Sequence, residues 1–213
     1  MTPNMRLQPV VHVLDDDAQF LRSLLFMVDG LGFEVHGYAS AEAFLDTQPQ
    51  TLAQGCCILS DIRMPRISGL ELQRRLNTAS LGIPLVFMTG HGDVQQAVQA
   101  MRAGAVHFLQ KPFKEQELLD ALNHAVQVAQ ERWQHQQRTQ SARALLDKLS
   151  PREQAVALWV AKGLSNKEVA RELGISDNTV HVHRQHITEK LGSAHAADLA
   201  RLMLRVDALC LDA

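Results

Sequence analysis

Hydrophobic residues in the first 126 positions follow two spacings that alternate along the chain. Short apolar runs end in a polar or turn residue, which is typical of strands buried on both faces of a sheet. Between them, apolar residues recur every three or four positions, which predicts amphipathic helices. The predicted strands lie at 10–14, 33–38, 56–59, 84–88 and 106–109. Five strand–helix alternations predict a parallel sheet with helices on both faces.

Turn and capping residues give provisional helix boundaries. Gly30 and Gly32 are expected to end the first helix, and Ser40 to cap a second helix that runs through position 45. Asp93 and Gln96 have the spacing of a capping box for a helix through position 103. A further helix is predicted from about position 114, with its apolar side continuing to position 126.

Positions 127–144 have a different composition from the rest of the chain. They are rich in Gln and Arg, and Trp133 is their one aromatic residue. The preceding helix could continue through this stretch as a solvated stalk, or the stretch could be a disordered linker. The pattern leaves both alternatives open.

From position 150 onward, the pattern is wholly helical. Ser150 and Ser165 each precede a Glu by three residues, which predicts two capping boxes. Gly174 separates a short helix from one capped by Ser176, and Ser193 is expected to start a fourth helix. A short helix, a break and a capped helix form the helix-turn-helix pattern, with 177–190 as the predicted recognition helix.

Composition and charge narrow the class of protein. Hydrophobic residues make up 46% of the 213-residue chain and charged residues 21%, which supports folded domains with a proper core. Formal charge is −4 over 1–125, +2 over 126–150 and zero over 151–213, so charge alone does not indicate a nucleic-acid partner. No apolar run is long enough to span a membrane, and no signal segment is apparent. We therefore expect a cytoplasmic protein without a membrane partner.

The three cysteines are consistent with a cytoplasmic protein. Cys56 and Cys57 are adjacent on a predicted strand, so their side chains should enter the core on opposite faces. Cys210 lies near the end of the chain, and the count is too low for a cysteine-based metal site.

Polar residues follow four of the predicted strands. Asp15, Asp16, Asp61, Thr89 and Lys111 should therefore meet at the edge formed by the strand carboxyl ends, where ligands bind in open α/β sheets. Clustered carboxylates repel one another and suit Mg²⁺, while a carboxylate can also accept a phosphoryl group. Considered alone, Asp61 could equally be an acid that caps the next turn.

Four motifs together resemble a response-regulator receiver domain over about residues 8–128. They are Leu14-Asp15-Asp16, Ser60-Asp61 with Met64-Pro65, Thr89-Gly90, and Lys111-Pro112. Residues 89–93 and 103–105 are similar to the FixJ branch of that family. The resemblance implies a five-stranded, flavodoxin-like parallel sheet.

The resemblance also implies a role for each residue of the pocket. Asp61 would be the phosphoacceptor, Lys111 would hold the phosphoryl oxygens, and Thr89 with Phe108 would form the switch pair. A Mg²⁺ cofactor would be bound by the following groups: Asp15, Asp16, Asp61 and the backbone carbonyl of Arg63.

Residues 145–206 resemble the LuxR/NarL-type DNA-binding domain. The resemblance rests on residues 149–153, 163–170 and 179–183. It implies DNA contacts from these side chains: Lys167, Thr179, His181, His183, Arg184 and Lys190. The family usually has Lys where His181 stands, and packing is an alternative role for His183.

These observations predict three segments: a phosphoacceptor receiver domain at 1–125, a helical linker at 126–148, and an all-α, four-helix DNA-binding domain at 149–213. The resemblance implies a transcriptional regulator rather than an enzyme. A sensor histidine kinase would phosphorylate Asp61, and phosphorylation would promote homodimerisation and promoter binding. RNA polymerase is a further candidate partner.

Two other functions are compatible with parts of the sequence. Asp15 and Asp17 after the first strand loosely resemble haloacid-dehalogenase-type phosphatases, in which the first acid is the nucleophile. A small-molecule sensor would instead need an apolar, aromatic-lined pocket, and only 5% of the residues are aromatic.

Overall fold

The computed structural model describes residues 9–47, 55–90, 94–207 and 210. The chain divides into two compact units, Met1–Trp133 and Gln134–Ala213. The division falls within one long helix.

The first unit alternates strands and helices as the sequence predicts. The sheet has five parallel strands in the order β2-β1-β3-β4-β5. Its elements are β1 Val10–Leu14, α1 Ala18–Gly30, β2 Glu34–Tyr38, α2 Ala41–Leu45, β3 Cys57–Asp61, α3 Gly69–Thr78, β4 Leu85–Thr89, α4 Val94–Arg102, β5 His107–Gln110 and α5 Glu115–Leu146. The predicted fold class is confirmed.

Hydrophobic residues fill both faces of this sheet. Val11 and Val13 of β1 pack in one core with α1 and α5, whereas Leu14 packs in a second core with Phe44 of α2 and Leu72 of α3. The alternation follows from the two-residue period of a strand. Strands β1 and β3 are neighbours although β2 lies between them in sequence, so the strand order reverses there. Crevices at such switch points are where open α/β sheets bind ligands.

The predicted cap at Ser40 is confirmed, because its side chain accepts a backbone N–H bond at the start of α2. Asp17 and Ser68, which were not predicted as caps, accept such bonds at the starts of α1 and α3. The predicted cap at Asp93 lies outside the described residues. Cys56 and Cys57 are buried, as expected.

Helix α5 decides between the two interpretations of positions 127–144. It runs without a break from Glu115 to Leu146, so the helical stalk is the alternative observed. None of the helices in the described ranges is long and apolar enough to cross a membrane.

Four further helices lie in the described part of the second unit. They are α6 Pro151–Ala161, α7 Asn166–Leu173, α8 Asp177–Leu191 and α9 Ala196–Leu204. Both predicted capping boxes are present, at Ser150 and at Ser165. Gly174 ends α7 with φ 64°, a left-handed conformation that favours glycine. The predicted recognition helix therefore corresponds to α8.

The predicted start of α9 at Ser193 was wrong, because the helix begins at Ala196. His195 occupies the N-cap position, without a side-chain cap bond. The Ser193 hydroxyl instead donates to Asp198 at 2.7 Å and accepts from the backbone N–H of His195 at 3.2 Å. Ser193 thus ties the preceding loop to the first turn of α9 from a position outside the helix.

Candidate functional site

Four strands deliver polar side chains to one edge of the sheet. Asp15 directly follows β1, Asp61 ends β3, Thr89 ends β4, and Lys111 directly follows β5. The Lys111 ammonium donates to Asp15 Oδ2 at 2.7 Å and lies 3.0 Å from Asp61 Oδ1. One cation therefore bridges the two carboxylates.

Backbone N–H groups fix the other oxygen of each carboxylate. Asp15 Oδ1 accepts from the N–H of Asp17 at 3.0 Å, and Asp61 Oδ2 accepts from the N–H of Arg63 at 3.0 Å. Asp15 is 2% exposed and Asp61 8% exposed. Burial with satisfied hydrogen bonds holds both groups in defined orientations.

Burial and charge perturb the ionisation of this pair. Burial raises the pKa of Asp61, against the hydrogen bond and positive charge of Lys111; the negative charge of Asp15 adds to the rise. Burial alone would lower the pKa of Lys111, but its hydrogen bonds and ion pairs with both carboxylates outweigh that effect and raise it. The pocket therefore holds Lys111 charged beside a carboxylate that is costly to ionise.

An aromatic ring completes the surroundings of Lys111. The ammonium lies 4.1 Å from the ring centroid of Phe20, and Phe20 packs edge-on against Phe113. A cation over an aromatic face is attracted by the ring's electrons. Helical spacing predicts that Phe20 lies on the apolar side of α1, but it does not indicate what the ring faces.

The predicted switch residues lie on the two adjacent strands β4 and β5. Thr89 is 2% exposed, and its hydroxyl donates to the Gly90 carbonyl at 3.4 Å. Phe108 is half-buried and packs against the second sheet core, opposite Phe87 in the strand register. Thr89 is therefore buried at the strand end, whereas Phe108 retains an exposed side.

The remaining acidic residues at this edge have different surroundings. Asp16 is exposed. Asp17, which with Asp15 suggested the phosphatase alternative, accepts the N–H groups of Gln19 and Phe20 as the cap of α1. These hydrogen bonds, Phe20 first, lower the pKa of Asp17. Asp17 is accordingly engaged in starting the helix.

In the second unit, the predicted DNA-contacting residues fall into two groups. Lys167 and His181 are exposed, on α7 and α8 respectively. Arg184 donates to Asn166 Oδ1 at 2.8 Å and to the Ala194 carbonyl at 3.0 Å. Arg184 therefore joins the start of α7 to the loop before α9.

Lys190, Thr179 and His183 are also engaged with the unit itself. The Lys190 ammonium donates to Glu153 at 2.6 Å, and the Thr179 hydroxyl lies 2.8 Å from that of Ser176. His183 is half-buried, and its Nδ1 is shielded from solvent. The Lys190–Glu153 contact could not be predicted from the sequence, because it depends on how α6 and α8 cross.

Among the acids that the structure describes in this unit, Glu153 is the most buried. It is 4% exposed and accepts from the Ser150 N–H at 2.7 Å in addition to Lys190. The Lys190 hydrogen bond, followed by that of Ser150, lowers the pKa of Glu153 to about 2. Glu153 thus remains ionised while it links α6 to α8.

Family models match both units. The response regulator receiver domain matches residues 11–123, and the family of bacterial regulatory proteins of the luxR type matches residues 147–203. The chain belongs to the two-component response regulators. Its combination of a receiver domain and a LuxR-type DNA-binding domain makes it a transcriptional response regulator. The family resemblance inferred from the sequence is confirmed.

Individual relatives extend over most of the chain. Nodulation protein W of Bradyrhizobium diazoefficiens is 42% identical over 194 residues, covering 91% of this chain and 84% of the relative. The structure of the response regulator StyR has a TM-score of 0.80 at 42% identity and covers 92% of this chain and 98% of its own. The structure of full-length FixJ from B. japonicum has a TM-score of 0.57 at 40% identity and covers 94% of this chain and 98% of its own.

Membership of this family favours one of the functions considered from the sequence. Phosphorylation-dependent activation is the general mechanism of response regulators. The phosphatase and small-molecule-sensor alternatives each account for only part of the chain. The response regulator prediction accounts for both matched regions.

Receiver domains generally bind Mg²⁺ at an acidic pocket of this kind, and the donor set of this response regulator fits that ion. The two buried carboxylates present hard oxygen donors at one strand edge, and Asp16 adds an exposed third. Asp61 is destabilised as an anion by its burial, which a nearby dication would relieve. The chemistry of these residues is therefore compatible with the cofactor.

Proposed function

We propose that Asp61 accepts a phosphoryl group from a sensor histidine kinase and that this modification controls promoter binding by the LuxR-type domain. The observation that carries the proposal is the Lys111 ammonium, which contacts both Asp15 and Asp61. A cation held there can neutralise charge on phosphoryl oxygens delivered to Asp61.

The proposed transfer forms one bond and breaks another. A carboxylate oxygen of Asp61 attacks phosphorus, the bond between phosphorus and the kinase imidazole nitrogen breaks, and that nitrogen keeps the electron pair. Asp15, Asp16, Asp61 and the Arg63 carbonyl would hold Mg²⁺, which would supply positive charge at the phosphoryl oxygens. The backbone N–H of Arg63, 3.0 Å from Asp61 Oδ2, orients the acceptor carboxylate.

The same proposal assigns the switch to Thr89 and Phe108. The Thr89 hydroxyl, now bonded weakly to Gly90, would turn to a phosphoryl oxygen, and Phe108 would move into the space it leaves. Because phosphorylation adds about two negative charges, it would shift the equilibrium between the two arrangements of Thr89 and Phe108. The shifted state would favour a homodimer. We do not expect the protein to turn over a substrate.

For the DNA-binding unit, we propose that α8 is the recognition helix. The contacting side chains would be Lys167, Thr179, His181, His183, Arg184 and Lys190. Exposed Lys167 and His181 could bind without rearrangement, whereas Arg184 and Lys190 would first have to exchange internal partners. RNA polymerase is a candidate partner of the promoter-bound dimer.

We also retain the proposed boundaries: a receiver domain at 1–125, a linker at 126–148 and a DNA-binding domain at 149–213. The linker would lie within α5, which extends from Glu115 to Leu146.

Phosphorylation of the full chain by acetyl phosphate in the presence of Mg²⁺ tests the role of Asp61. Intact-protein mass spectrometry should detect one added phosphoryl group in the wild type and in Asp29→Asn, a surface control on α1. Asp61→Asn should gain none and should not dimerise in response to the phosphodonor. Full phosphorylation of Asp61→Asn would overturn the assignment.

A further inference from the structure

The DNA-binding unit contains a group of metal-ligating side chains outside the receiver pocket. Glu153, His183 and His186 each offer one ligand atom, and these atoms lie within 4.8 Å of one another. Among the described residues, no other group of three or more His, Cys, Asp or Glu side chains has its ligand atoms this close together. We propose that Glu153, His183 and His186 form a site for Zn²⁺ that links α6 to α8.

Two helices bring these ligands together. His183 and His186 are three residues apart on α8 and so lie on one helix face. Glu153 lies in the first turn of α6, which packs against α8 in the core of this unit. A bound ion would therefore be a direct connection between two helices that are otherwise joined by packing and by the Glu153–Lys190 ion pair.

The carboxylate is already oriented for coordination. Both the Ser150 N–H and the Lys190 ammonium bond to Glu153 Oε2. The other oxygen, Oε1, lies 3.6 Å from Nδ1 of His186. Tetrahedral Zn²⁺ with bonds of about 2.0–2.2 Å places its ligand atoms roughly 3.4 Å apart, so Oε1 and Nδ1 are nearly at a coordinating separation. Hydrogen bonds that fix a ligating carboxylate also strengthen metal sites.

His183 supplies an independent indication. Its Nδ1 is buried and has no hydrogen-bond partner in the described part of the chain. A buried polar atom left without a partner costs free energy, and coordination of the ion through Nδ1 would give this atom a partner. His186 is half exposed, which leaves a path for the ion and a position for a water ligand.

The ligand types select the class of ion. Imidazole with a carboxylate suits Zn²⁺ and similar borderline dications, whereas Mg²⁺ and Ca²⁺ prefer oxygen alone. The Lys190 ammonium beside Glu153 disfavours a second positive charge, so the affinity should be lower than in a zinc site built from cysteine thiolates. The site differs in both place and chemistry from the acidic edge of the receiver unit.

Titration of the metal-free, full-length protein with Co²⁺ and Zn²⁺ tests this proposal. Excess Mg²⁺ should be present throughout to occupy the acidic edge of the receiver unit. Co²⁺ should give a visible absorption band that Zn²⁺ abolishes, and competition with a chromophoric chelator should yield one Zn²⁺ site. We expect His186→Gln and His183→Gln each to weaken Zn²⁺ binding by about tenfold or more.

His195→Gln is the matched control, because His195 is exposed in the same unit and does not belong to the group. It should bind Zn²⁺ as the wild type does. Zn²⁺ should also raise the melting temperature of the wild type but not of His186→Gln. If circular dichroism shows that His183→Gln does not fold, the Zn²⁺ affinity of His186→Gln alone tests the site, because His186 is exposed. Wild-type affinity in His186→Gln, or no binding below millimolar Zn²⁺, would overturn the site.

Discussion

The Lys111 ammonium lies 2.7 Å from Asp15 Oδ2, although 96 residues separate Lys111 from Asp15 along the chain. Its distance to Asp61 is slightly longer, at 3.0 Å. Lys111 therefore has a charged partner even if the carboxylate at position 61 is removed. Phe20 beneath the ammonium restrains it further.

From this arrangement we predict that Asp61→Asn stabilises the receiver unit in Mg²⁺-free buffer. Burial raises the pKa of Asp61, so the folded state holds the proton more tightly than the unfolded state. Stability contributed by that proton is present at low pH and is lost as the pH rises through the two pKa values. At pH 7 the ionised carboxylate is a cost, and its removal should raise the melting temperature by about 2–4 °C. Asp29→Asn, on the surface, should leave it unchanged.

A side chain at Gly69 should lower stability, because a Cβ there would lie 2.5 Å from the Asp61 carbonyl oxygen and 2.8 Å from Phe87 Cε1. We expect Gly69→Ala to cost about 1–3 kcal/mol in unfolding free energy and to slow phosphorylation by acetyl phosphate. Gly30→Ala is the control, since a Cβ at Gly30 meets nothing within 4 Å. Equal stability of the two variants in urea unfolding would contradict the steric argument.

His12 should make the receiver unit sensitive to mild acid. It is 1% exposed, donates or accepts a hydrogen bond with the Tyr38 hydroxyl, and has its pKa lowered to about 4, first by burial and then by His36. The unfolded state therefore binds the proton more readily between pH 6.5 and 4. Stability should fall by about 2 kcal/mol from pH 7 to pH 5, as measured by urea unfolding. His12→Phe should remove most of this dependence, whereas His36→Gln should retain it.

Glu153 should stabilise the DNA-binding unit through its bonds to Ser150 and Lys190. We expect Glu153→Gln to cost about 1–3 kcal/mol at pH 7, measured by Trp159 fluorescence in a Trp133→Phe background. Because the pKa of Glu153 is lowered to about 2, its contribution is present above pH 4.5 and is lost as the pH falls toward 2. Acid sensitivity in that window should therefore be weaker in the variant. An unchanged profile would show that the ion pair contributes nothing.

Arg184 should have a structural role that lysine cannot replace. Its two terminal nitrogens reach Asn166 and the Ala194 carbonyl separately, and a single ammonium lacks that forked geometry. Arg184→Lys should lower the unfolding free energy of this unit by about 1–3 kcal/mol, again reported by Trp159. Arg171→Lys, exposed on α7, serves as the control and should be neutral.

The sequence predicted more of the fold than of the site's contacts. Strand ends were readable because Asp15 and Asp61 stand where apolar runs stop, and parallel strands bring such ends to one edge. Phe20 beneath Lys111 was missed, because periodicity places a ring on a helix side without specifying its neighbour. The helical course of α5 was left open, since a Gln-rich stretch has few apolar residues to mark a face.

Contacts between distant helices were not predictable at all. The Lys190–Glu153 bond spans 37 residues and the Arg184–Asn166 bond 18. Both depend on side-chain rotamers at helix crossings. Ser193 was predicted to start α9, but its hydroxyl instead bonds to Asp198 from outside the helix.

The pairing of Lys190 with Glu153 has a consequence for ionic strength. A lysine that binds a DNA phosphate ordinarily displaces condensed counterions. Each such contact steepens the slope of log affinity against log salt concentration by about 0.9. Lys190 would instead exchange one anion for another, leaving the carboxylate to recruit a cation from solution. Promoter affinity should then vary less steeply with salt than a tally of basic side chains implies, which leaves more of the discrimination between promoters to the base edges.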